Sequence, residues 1–132
     1  VTGKFPICLL ATACLYTSSC AGWGIGTEIK DKEKYLGCYK YGETPILSIG
    51  NDEITIRNGD SNTIEGFSRI KSNDYVLTKN SIRMNNNGDV KFGRTDTGFQ
   101  YRFRQTSQAT LLILHNDAGH EFQLAKDGRV CK

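Results

Sequence analysis

His115, Asp117, His120 and Glu121 crowd one short stretch around Asn116-Asp117-Ala118-Gly119. Two imidazoles with a carboxylate form a donor set suited to a divalent metal, provided that paired strands bring the rings together. An exposed turn between two strands carries the same polar residues without any ligand, so no metal and no cofactor is expected. Other chemistry fares no better. The chain has no Gly-x-Ser-x-Gly elbow, and no base can be assigned to any serine. The neighbouring carboxylates Asp52 and Glu53 lie in a turn and do not make an acid–base pair. The residues therefore point away from an enzyme.

A basic cluster is the second chemical feature. Lys79, Arg83, Lys91, Arg94, Arg102 and Arg104 fall in a stretch whose only acids are Asp89 and Asp96. If adjacent strands place Arg83, Lys91, Arg102 and Arg104 on one outer face, that patch can bind an acidic partner, a phosphorylated headgroup or an anionic envelope polymer. A solvated sheet face has much the same composition. The whole chain carries a formal net charge of +3, too little to imply nucleic-acid binding.

The sequence holds 5 cysteines. Cys8, Cys14 and Cys20 lie near the N-terminus, leaving Cys38 and Cys131 as an even pair. In an oxidising compartment such a pair forms a disulfide, here tying the start of the folded region to its end. Zinc is the rival, but no CxxC spacing supports it.

These side chains need a scaffold, and from Tyr35 onward the apolar period is two. Segments are cut by Gly, Asn and Asp at short intervals, as in an antiparallel meander. Tyr35–Tyr41 reads as the first strand. Ile46–Ile49 and Glu53–Arg57 flank Asn51-Asp52, which can take the positive φ angles of a tight hairpin. Strands follow at 63–70, 75–78, 81–84 and 90–93. Phe99–Gln105 alternates strictly between aromatics and Gln or Arg, so one face must be buried. Thr110–His115 is apolar on both faces and reads as the most covered strand. Residues 120–124 and 129–131 complete the set. The pattern predicts a small all-β domain: an antiparallel meander closed into a barrel, or alternatively a two-sheet sandwich. In a barrel, Cys38 and Cys131 would lie on neighbouring strands. The aromatics Phe92, Phe99, Tyr101, Phe103 and Phe122 either line a ligand cavity or fill the interior themselves.

The N-terminus has the three parts of an export signal. Lys4 precedes the short apolar run 5–16, and Thr17-Ser18-Ser19-Cys20-Ala21-Gly22 is a small-residue exit. The apolar run is too short to span a bilayer. The expected organisation is an export signal over 1–21, a flexible tether over 22–34 and a single β domain over 35–132. Two exits compete: lipidation at Cys20 after Ser19, or cleavage after Ala21 to a free secreted form. Ala11 and Ala13 offer an earlier small-x-small site.

Ser19-Cys20 resembles the lipobox of bacterial lipoproteins, although Thr17 stands where that motif usually has Leu. The resemblance implies a periplasmic or membrane-anchored protein held by a lipid on Cys20. The leader together with the placement of Cys38 and Cys131 is similar in layout to membrane-bound inhibitors of C-type lysozyme, which are small disulfide-tied barrels on lipoprotein signals. That similarity implies a non-enzymatic envelope protein acting on a protein partner, as an inhibitor or immunity factor. No inhibitory loop motif carries over, and the basic tilt departs from what a basic lysozyme would select. A lipocalin-like carrier of a small apolar ligand, resembled in meander topology, is the alternative.

Overall fold

The computed structural model describes the backbone at residues 5–8, 10–12, 26–94, 98–129 and 131, and side chains from residue 26 onward. The export exit, Cys20 and residues 22–25 of the tether lie outside the described residues. Near the N-terminus β1 (Phe5–Cys8) and β2 (Leu10–Thr12) form an antiparallel pair.

The remaining strands build a closed eight-stranded antiparallel barrel. Its members are β4 (Gly37–Tyr41), β5 (Thr44–Ile49), β6 (Glu53–Ile56), β7 (Ser61–Ile70), β8 (Asn73–Thr78), β11 (Phe99–Gln105), β12 (Thr110–His115) and β13 (Glu121–Lys126). Each pairs with the next, and β13 returns to β4 through Ala125 opposite Lys40 and Lys126 opposite Tyr39. No barrel strand is left with a free edge along its whole length, the usual remedy against edge-to-edge association. Three short elements complete the domain: β3 (Thr27–Glu28), a single 3₁₀ turn over Lys32–Tyr35, and the hairpin of β9 (Ile82–Met84) and β10 (Val90–Phe92), inserted between β8 and β11.

Alternation puts the apolar set inside. In β6, Ile54 and Ile56 are buried while their neighbours are not, and in β13 Phe122 and Leu124 do the same. Tyr39, Ile54, Val76, Leu112, Leu114 and Leu124 are fully buried in one continuous core with Phe67 and Phe103. On β12, Ile113 is also buried although it lies outside that interior cluster, as a strand apolar on both faces requires. On one side β7 pairs with β6 through Ser61–Thr63 and with β3 through Ser68 and Arg69, and on the other its register with β8 shifts between Ile64 and Gly66. Such bulges sharpen the local twist that a small barrel needs.

Several boundaries differ from the sequence expectation. The first strand begins at Gly37 because 32–35 tighten into the 3₁₀ turn. Gly37 has φ 145°, and a Cβ there would collide with the carbonyl oxygen of Gly128. The 50–52 hairpin forms as expected, with Ile49 opposite Ile54, but its Asn51-Asp52 tip has no positive φ. Among the described residues, the non-glycine ones with positive φ are Lys71 (51°) and Ser72 (71°), in the two-residue turn between β7 and β8. Cys131 bonds to Cys38 across a separation of 93 residues, as expected, but from the segment after β13 rather than from a further strand.

Candidate functional site

Antiparallel alternation sends every second connection to the same end of the barrel. One end, the floor, receives the loops at 50–52, 71–72 and 106–109, together with the chain entering through 27–36. Of the stretch read as a tether, residues 27–34 lie on this floor. Thr27 pairs with Arg69, Ile29 is buried and donates its amide to Phe67, and Lys34 accepts a bond from the Lys126 ammonium at 2.9 Å.

The floor is sealed by a polar cluster. The Tyr35 ring stacks on Phe103 with centroids 4.0 Å apart, and its hydroxyl donates to the buried carboxylate of Asp74. Arg69 grips the same carboxylate through Nε at 2.7 Å and Nη2 at 3.2 Å. That fork, aided by Tyr35 and working against burial, holds the Asp74 carboxyl below its ordinary value. Burial pushes the Tyr35 hydroxyl up to about 12, with Asp74 adding to the shift. Tyr39 donates its hydroxyl to the Tyr35 carbonyl at 2.7 Å, and burial raises its pKa strongly. The Tyr35 and Tyr39 hydroxyls and both Asp74 carboxylate oxygens have partners, which is the arrangement of a structural seal.

The opposite, loop end collects the turns at 42–43, 57–60 and 116–120 and the β9–β10 hairpin. Ile82 and Met84 from this hairpin are buried against the interior, and the Ile82 amide donates to the Tyr101 hydroxyl at 2.6 Å. Both ends of the barrel are thereby filled from within the chain. The aromatic face divides in role: Phe103 and Phe122 belong to the core, while Phe92 and Tyr101 pack against it.

Two clefts of about 420 Å³ each flank the hairpin tip. The first lies between the tip and the β12–β13 turn. It contains the Arg83–Asp117 ion pair (3.2 Å) and a bond from the Asn116 amide to Asn86 (3.1 Å). The second lies between the tip, the β4–β5 hairpin and the β6–β7 turn. Tyr41, Ile46, Ile56 and Val90 give it an apolar floor, and Arg57, Asn58, Asn86 and Lys91 give it a polar rim.

The four basic residues singled out from the sequence form two pairs on different elements. Arg83 and Lys91 are direct cross-strand partners on the hairpin, and Arg83 is spoken for by Asp117. Arg102 and Arg104 point the same way along β11, opposite Tyr75 and Leu111. Glu121 answers them: its carboxyl is lowered chiefly by a bond from Gln123, then by Arg104, His115 and Arg102. His115 stands opposite Glu121 rather than His120, with Nε2 to Oε1 at 4.0 Å, and His120 packs edge-on against Phe122 at 5.0 Å. Among the described residues, no three His, Cys, Asp or Glu side chains converge to hold a metal ion.

The second cleft escapes residue-by-residue reading because Asn58-Gly59-Asp60 and Asn85-Asn86-Asn87-Gly88 look like nothing more than turns. Counting strands would have found it, since two connections separated by an even number of crossings share one end. No protein-family model, curated protein or solved structure matches this chain.

Proposed function

We propose that this chain is a non-enzymatic, exported envelope protein that acts by binding another protein, in the manner of an inhibitor or immunity factor, through the loop end of its barrel. The observation carrying this reading is the filled interior. Tyr39, Leu112, Leu114, Phe103, Phe122 and Leu124 occupy the barrel, Tyr35 closes one end, and Ile82 with Met84 closes the other. A carrier in the lipocalin manner keeps an interior cavity for its ligand, whereas here bulky buried side chains occupy the barrel and two clefts of ligand size lie beside the hairpin tip. Mixed aromatic, amide and arginine surfaces of this kind are the usual material of protein interfaces.

Export rests on the N-terminal signal, with Cys20 as the residue for a lipid anchor. The disulfide between Cys38 and Cys131 suits that oxidising destination. Native mass spectrometry of the protein isolated from its own envelope tests the reading. A stoichiometric protein complex is expected, and adding the barrel in equal amount should slow the partner if the partner is an enzyme. A small apolar molecule bound in place of any protein would favour the carrier instead.

A further inference from the structure

We infer that the cleft between the β4–β5 hairpin and the β9–β10 tip receives an acidic peptide segment of the partner protein, an inference that rests on the protein-contact reading above. Among the described residues Tyr41 is the exposed large hydrophobic one, at 41% relative exposure, and it stands in this cleft. Its ring meets Phe122 at 5.5 Å and 81°, so it is braced from the barrel rather than free to swing. A rigid, exposed tyrosine above Ile46 and Ile56 is a contact surface with little side-chain entropy left to lose.

The rim supplies the charge preference. Arg57 and Lys91 line the cleft and have no ion-pair partner among the described residues, unlike Lys40, Arg69 and Arg83. Of the nearby acids, Glu43 and Asp60 stand in the adjoining turns, outside the lining of the cleft. Asp60 is tied into its own turn by Asn58, which donates to its carboxylate at 3.1 Å and accepts from its amide at 2.8 Å. Asp89 remains as the acid of the lining against two cations. Carboxylates entering from outside would meet a planar guanidinium able to bind them bidentately and an ammonium beside it.

The test is selection from a random linear peptide library displayed on phage, run with the wild-type domain and with the double variant Arg57→Glu, Lys91→Glu. Equal thermal unfolding of the two proteins shows that the variant folds. Wild type should enrich peptides rich in Asp and Glu, and the variant should bind them about tenfold more weakly or worse while enriching Lys and Arg peptides. Tyr41→Ala should weaken the same peptides without inverting the charge preference. Equal affinity of both proteins for the acidic peptides would overturn the inference. So would displacement of the peptides by polygalacturonate as readily as by free peptide, which would assign the cleft to an anionic polymer. If the envelope complex forms but wild type selects no acidic peptide, this inference fails and the protein-contact reading stands. Absence of the complex in the native mass experiment sinks that reading separately.

Discussion

Tyr35 and Asp74 meet across 39 residues of sequence, hydroxyl to carboxylate, beneath the aromatic stack of the barrel floor. This contact joins the 3₁₀ turn that enters the barrel to the start of β8. Arg69 completes it from the facing residue of β7, since Arg69 and Asp74 are cross-strand partners. Asp74→Ala should therefore destabilise the domain by about 2 to 4 kcal/mol, because a buried hydroxyl loses its partner along with the charged bonds. Tyr35→Phe keeps the stacking and should cost about 1 to 2 kcal/mol. Urea denaturation of both variants checks the ranking.

The same cluster predicts how stability follows pH. The folded Asp74 carboxyl lies below its ordinary value of 3.8, so its contribution is fully present above that value. It is lost as pH falls from there through the lower folded value. Tyr35 acts at the other extreme: its hydroxyl is raised from 10.0 to about 12, so its contribution is whole below pH 10.0 and disappears as pH rises toward 12. Subtracting the stability profile of Asp74→Asn from that of wild type should leave a change above pH 10, where Asp74 adds to the Tyr35 shift, as well as a step in the acid window. A difference that is flat with pH there would contradict the assignment.

The disulfide closes a separation of 93 residues. In the chain-entropy model such a loop stabilises the fold by about 4 to 5 kcal/mol. Cys38→Ser with Cys131→Ser should lose most of that amount, as should wild type under reductant. Agreement between the two measurements separates loss of the cross-link from damage by the substituted serines.

Lys71 and Ser72 both hold positive φ in the β7–β8 turn. Asn-Gly is the pair best suited to that backbone. Replacing Lys71-Ser72 by Asn-Gly should raise stability by about 1 to 2 kcal/mol by relieving left-handed strain. A thermal melt that moves upward with an unchanged far-ultraviolet spectrum is the expected record.

Much of the scaffold was legible because strands announce themselves by alternation. Phe99–Gln105 buries Phe103 and exposes Gln100 and Arg102, as its pattern demands. The paired cysteines were legible by elimination. What escaped was contact at long range. Nothing in the period of Asn73–Thr78 says that Asp74 faces inward to meet Tyr35 and Arg69, since an aspartate near a turn reads as solvated. Likewise the positive φ at Lys71-Ser72 is imposed by the two-residue loop between long strands, against the preference of both residues. The basic cluster comes from two elements, Arg83 and Lys91 on an inserted hairpin and Arg102 and Arg104 on the barrel wall, and the insertion of that hairpin is a tertiary feature that alternation does not announce.

Amide hydrogen exchange of the barrel, alone and bound to its co-purified envelope partner, tests the central claim most directly. Binding should slow exchange at 41–46, 56–60 and 85–91, the rims of the second cleft, and leave the floor unchanged. Protection confined to residues 27–36 and 71–72, with none at the loop end, would contradict the account.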